Sequence, residues 1–121
     1  MYLLLALLFV KHFLFDFYWQ TPYMLRKSAE KGWRLPLTLH VTTHASATLV
    51  ILLFFMDLPT ALVIAVSEFI IHWSIDYWKA QKAKAEFNSR AFWNYLGLDQ
   101  MFHNLTYLLI IFWYSLYMAA F

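Results

Sequence analysis

Four long apolar runs divide the chain, and polar residues recur inside them at one spacing. The runs are Tyr2 to Trp19, Leu37 to Phe55, Thr60 to Trp78 and Leu98 to Ala120. Each approaches the roughly 20 residues that an α-helix needs to cross the hydrocarbon core of a bilayer. Glu68, His72 and Asp76 are four apart, as are His12 and Asp16, His40 and His44, and Asp99 and His103. Residues four apart share one face of a helix. Ionisable groups are costly against hydrocarbon and need partners. The pattern therefore predicts an all-α fold, a four-transmembrane-helix bundle whose helices each turn a polar stripe inward.

The segments between the runs carry their own signals. Thr21-Pro22 restarts the chain, with Thr21 as an N-cap and Pro22 at the first helical position, and predicts a short interfacial helix from Pro22 to Lys31 that ends at Gly32. Pro36 opens the second run, and Met56-Asp57-Leu58-Pro59 reads as a tight turn. Helix formers from Lys79 to Glu86 predict that the third helix continues beyond its apolar run, until Asn88-Ser89 breaks it. The first run resembles a signal-peptide core. It has no basic leader and no Ala-x-Ala site, and it continues through His12 and Asp16, so a retained transmembrane helix is expected.

Composition sharpens this picture. The chain is 63% hydrophobic and only 13% charged, against roughly 25% charged in an average soluble domain. An integral membrane protein with a single domain over residues 1–121 is expected. Cysteine is absent, which removes disulfides and thiolate metal sites and leaves nitrogen and oxygen as ligands. Every Lys and Arg except Lys11 lies between the first and second runs or between the third and fourth. The positive-inside rule makes both loops cytoplasmic and both termini external, in a bacterial inner membrane. Basic residues confined to two short loops form no nucleic-acid-binding face.

Combining topology with position puts all eight stripe residues of the His and Asp type in the cytoplasmic half of the membrane. His12, His44, His72 and His103 fall roughly 10 Å deep by the helical rise, with Asp16, His40, Asp76 and Asp99 about one turn shallower. These eight are candidate metal ligands, sufficient for two divalent ions, with zinc favoured and manganese or iron compatible. Gln20 and Gln100 would orient a ligand or a substrate oxygen. Asp76 or Glu68 would accept a proton, and Lys79 or Arg26 would hold an anionic head group. The expected activity is metal-dependent hydrolysis of a lipid or lipid-linked head group at the cytoplasmic leaflet.

Blander readings stand beside these. Asp99 follows Gly97 and could be a helix N-cap. His40 is shallow enough to be solvated, and Lys79 could snorkel to the head groups. Lys11 and Glu68 match in depth and are expected to form a buried ion pair beneath the site. The whole set could also serve as polar contacts between helices, as a metal-ion or proton transport path, or as a redox di-iron or di-manganese centre. A homo-oligomer is compatible with so short a chain, though no motif specifies one.

At Asp16-Phe-Tyr-Trp-Gln20, His72-Trp-Ser-Ile-Asp76-Tyr-Trp-Lys79 and Asp99-Gln-Met-Phe-His103, the chain resembles the domain-of-unknown-function 3307 family of small bacterial and phage membrane proteins. The likeness runs over nearly the whole chain in motif order and spacing. It implies the grouping of these residues and brings no activity with it. A small membrane factor that docks a host membrane protein is the further reading that this resemblance allows. The His-x-x-x-Asp pattern alone is similar, more weakly, to inner-membrane proteins labelled metal-dependent hydrolases.

Overall fold

A computed structural model describes residues 1–121, and its regular structure is entirely helical. The order is α1 (Tyr2–Phe13), a π-helical turn (Leu14–Tyr18), α2 (Pro22–Leu25), a 3₁₀ turn (Arg26–Ser28), α3 (Arg34–Leu52), α4 (Leu58–Tyr77), a second π-helical turn (Trp78–Lys82) and α5 (Arg90–Ala120). The all-α expectation holds, and the element boundaries shift for local reasons.

The first run changes pitch after Phe13. Its π turn closes with the Trp19 amide donating to the Leu14 carbonyl at 2.7 Å. Thr21 caps α2 as expected, its hydroxyl accepting from the Met24 amide at 3.3 Å. This interfacial piece ends at Ser28, short of Lys31, because Ala29 is extended; Gly32 then takes a positive φ of 69°. α3 starts at Arg34, before Pro36, since a proline in the first turn lacks an amide that the helix does not need there.

α3 ends in a tightening turn, with Phe54 donating to Ile51 and Phe55 to Leu52. Asp57 then caps α4, accepting from the Thr60 amide at 3.0 Å and from its hydroxyl at 3.0 Å. The Thr60 amide holds the Asp57 carboxyl below the usual carboxylate range.

The third helix stops at Lys82, not Glu86. Its last turn is π-helical, the Ala83 amide reaching the Trp78 carbonyl, and Ala83 itself leaves helical geometry. Asn88 takes φ of 64°, a conformation that Asn tolerates better than most residues. The Ser89 hydroxyl caps α5 by accepting from the Phe92 amide at 3.1 Å. α5 therefore starts at Arg90, well before Leu98. Gly97 lies inside it, so Asp99 is an interior residue and not an N-cap.

Two helices, Arg34–Leu52 and Leu58–Lys82, are long and apolar enough to cross a membrane. Tyr2–Tyr18 and Pro22–Ser28 add a third if that pair, bent by 85°, counts as one broken span. The 31-residue α5 is long enough. It does not join them, because Gln100, His103, Asn104 and its tyrosines lower its hydropathy. Large apolar side chains such as Val10, Val63, Ile70, Leu105 and Phe112 face outward, as expected of a protein solvated by lipid.

The interior has two strata. Leu4, Leu8, Leu52, Met56, Ala61, Ile64, Tyr107 and Ile110 form one apolar cluster near the α3–α4 turn. Toward the opposite end the same four long helices fill the interior with histidine and carboxylate.

Candidate metal centre

Each long helix contributes one pair to this polar stratum. α1 and its π turn bring His12 and Asp16, α3 brings His40 and His44, α4 brings His72 and Asp76, and α5 brings Asp99 and His103. The spacing of four puts both members of each pair on one face, and packing aims the four faces at one another. Seven of these residues are buried, His40 and His44 completely, and Asp16 lies at the margin. His40 is thus not solvated at a shallow edge.

The deeper layer is a closed ring of imidazoles. Ring centroids lie 5.4 Å apart for His12 and His44, 4.2 Å for His44 and His72, 4.3 Å for His72 and His103, and 4.7 Å for His103 and His12. Two carboxylates sit over this ring. Asp16 Oδ1 is 3.0 Å from His44 Nε2 and 3.1 Å from His40 Nε2, while its Oδ2 is 3.1 Å from His12 Nε2. Asp76 Oδ1 is 3.1 Å from His103 Nε2 and 3.4 Å from His72 Nε2; its Oδ2 is 3.2 Å from His40 Nε2.

Most of these approaches are not hydrogen bonds. Both ring nitrogens of His40, His44 and His72, and Oδ1 of Asp16 and Asp99, are buried without a partner in hydrogen-bonding geometry. Buried polar atoms are rarely left so, because each unpaired one costs about 1–3 kcal/mol. The separations match the edges of a coordination shell instead. Metal–ligand bonds of ~2.1 Å give ligand–ligand edges of about 3.0 Å in an octahedron and about 3.4 Å in a tetrahedron.

Three groups of ligand atoms converge within 4.8 Å of one another: Asp16, His40, His44 and His72; His12, Asp16 and His103; and His72, Asp76 and His103. Each can surround a cation; the first and third share His72, so two ions together would leave it to one of them. Asp99 belongs to none of them. Its Oδ1 lies 3.5 Å from His103 Nε2.

The two glutamines divide. Gln100 bridges the centre, its Oε1 lying 3.1 Å from His12 Nε2 while its Nε2 donates to Asp16 Oδ2 and Asp99 Oδ2. Gln20 lines the polar pocket beside Asp16 and donates to the backbone carbonyl of Asp16 at 2.7 Å, not to a ligating side chain.

Beneath the ring lies the expected ion pair, Lys11 Nζ to Glu68 Oε1 at 2.8 Å. Glu68 lines an apolar groove of about 580 Å³ between α4 and α5. It does not line the polar pocket of about 160 Å³ that opens over Asp16, Asp76 and Asp99. Lys79 does border that pocket, its ammonium 5.7 Å from the Phe92 ring centre. Arg26 does not, and lies over the Tyr23 ring.

Two contributors were not assigned from the sequence. Lys27 Nζ meets Asp76 Oδ2 at 2.8 Å, and nothing in the loop's composition marks it. The Tyr107 hydroxyl lies 2.8 Å from His12 Nδ1 and accepts from Lys11 at 3.2 Å. Tyr107 is the next step of four after Asp99 and His103, so its stripe was visible in the sequence. When Nδ1–H of His12 donates to this oxygen, Nε2 carries the lone pair toward Asp16, the orientation of a ligating histidine.

Comparison with curated proteins and with solved structures finds no match. A family model described as "Protein of unknown function (DUF3307)" matches residues 4–121, and the chain belongs to that family.

Proposed function

We propose that this protein is a membrane-embedded, metal-dependent hydrolase with a dinuclear centre, acting on a lipid or lipid-linked head group. The observation that carries the reading is the set of unpartnered imidazole nitrogens of His40, His44 and His72, gathered with Asp16 and Asp76 at coordination distances. A purely structural role would require those nitrogens to be hydrogen-bonded.

In this reading α1, α3, α4 and α5 form a four-transmembrane-helix bundle in the bacterial inner membrane. The basic loops are cytoplasmic and the termini external. Asp16, His40 and His44 would hold one divalent ion, and His72, Asp76 and His103 the second, with His12 and the other oxygen of Asp16 beside it. Zinc fits a nitrogen-and-oxygen set without thiolate, and manganese and iron fit it too. Such ions, when bound, would lower the pKa of water toward 7 and polarise the bond to be cleaved.

The chain's own groups do the rest. Asp99 Oδ1 is buried, unpartnered, outside the convergent groups and at the polar pocket. It takes the proton as water adds to the scissile centre, and the leaving group departs with a proton returned. Gln100, whose Nε2 donates to both, fixes Asp99 and Asp16 relative to each other. Glu68, neutralised by Lys11, supports the ring from below instead of acting as base.

A transport path is less well supported. The apolar cluster around Leu4, Leu52, Ile64 and Ile110 closes the bundle beyond Tyr107. The test is release of water-soluble head groups from phospholipid vesicles containing the zinc-loaded protein. Asp99→Asn should keep the metal and lose about 10²–10⁴-fold in rate. No release from any vesicle composition by the loaded wild type would refute hydrolysis.

A further inference from the structure

The polar pocket and its lysines bear on which bond the centre would cleave. At about 160 Å³ the pocket is smaller than the ~300 Å³ at which clefts for whole ligands begin. It admits one compact group. Its floor is Asp16, Asp76 and Asp99, and Lys27 and Lys79 border it.

Lys27 is the feature that a metal centre alone leaves unexplained. Its ammonium lies 2.8 Å from Asp76 Oδ2 and its side chain is 16% exposed. The backbone there is fixed, because Gln81 Nε2 donates to the Lys27 carbonyl at 2.6 Å and to the Ala29 carbonyl at 3.0 Å. The side chain can therefore swing while its anchor stays.

Charge then limits the occupant. Asp16, Asp76 and Asp99 supply three negative charges. Two divalent cations would bring four positive ones, and Lys27 and Lys79 at the pocket add two more. Lys11 and Glu68 cancel each other. A loaded centre and its pocket would hold an uncompensated positive charge of about three, which is costly in a largely buried place unless an anion joins it. A neutral ester or amide would leave that excess standing. A dianionic phosphoryl group offsets most of it, and lysine is a suitable point-charge partner for phosphate.

We infer that the polar pocket is a phosphoryl-binding site in which Lys27, released from Asp76 by cations at the carboxylates, becomes the anion's partner. This rests on the metal-centre reading and narrows its substrate class to phosphate esters. It concerns binding and adds no covalent step.

The test is calorimetric titration of detergent-solubilised protein, zinc-loaded and freed of excess metal, with orthophosphate, with a short-chain phosphatidic acid and with acetate. Loaded wild type should bind both phosphates and bind acetate at least ~10-fold more weakly. Tighter binding of phosphatidic acid than of orthophosphate identifies a lipid source; equal binding identifies a free phosphate. Metal-free protein, in which Asp76 retains Lys27, should bind phosphate at least ~10-fold more weakly. Lys27→Gln should lose ~10-fold or more with zinc content unchanged, and Lys27→Arg should recover most of it. Zinc-loaded Lys27→Gln that binds phosphate as wild type does, or acetate binding that equals phosphate binding, overturns the inference while the metal centre stands. Folded wild type that takes up no zinc removes the metal reading and this inference with it.

Discussion

Lys11 Nζ and Glu68 Oε1 lie 2.8 Å apart inside the bundle, with their side chains 3% and 1% exposed. The pair joins α1 to α4 directly below His72, whose Nδ1 is 4.0 Å from the same Glu68 oxygen. Lys11 also donates to the Tyr107 hydroxyl, which reaches His12. One ion pair thus braces two members of the imidazole ring.

Breaking that pair from one side should be severe. Lys11→Met or Glu68→Gln alone leaves an uncompensated buried charge, and a loss of about 3–5 kcal/mol is expected. The double variant removes both charges and should recover much of that loss. Unfolding midpoints of the three variants in detergent check this. Single variants as stable as wild type would contradict the pairing.

Tyr107→Phe should act on the metal and not on the fold. It removes the oxygen that faces His12 Nδ1 at 2.8 Å, while the ring stays packed in the apolar cluster. Losing the outer partner of a ligating histidine typically lowers metal affinity about 10–100-fold. Competition with a chromophoric chelator measures this; unchanged affinity would show that His12 does not ligate.

Topology can be tested cleanly because the chain has no cysteine. Single cysteines replacing Glu30 and Glu86 should react with an impermeant maleimide only from the cytoplasmic face. Cysteines replacing Tyr2 and Asp57 should react only from outside. Labelling of positions 30 and 57 from the same side would contradict a spanning α3.

Much of the site was legible in the sequence because the helical period is local. A spacing of four fixes that His72 and Asp76 share a face, whatever they pack against. Depth along each run then foretold the ring of His12, His44, His72 and His103. Lys27 was not legible, because its reach to Asp76 depends on the 85° bend after the first helix and on Gln81 from a distant segment. The π turns after Phe13 and Tyr77 leave no compositional mark, yet they follow the His12 and His72 stripes closely and set where Asp16 and Lys79 point. The start of α5 was readable in principle. Asn88-Ser89 reads as a break, yet serine is among the best helix caps, and Ser89 caps α5.

Whether these residues hold metal is answered by elemental analysis of detergent-purified protein. Wild type should carry about two equivalents of a divalent transition metal per chain, zinc before manganese or iron. The His72→Ala, His103→Ala double variant should lose at least one of them while remaining helical and monodisperse. Folded wild type that holds no metal, even after zinc, manganese and iron are each offered, would show that the histidine and carboxylate cluster is not a metal centre.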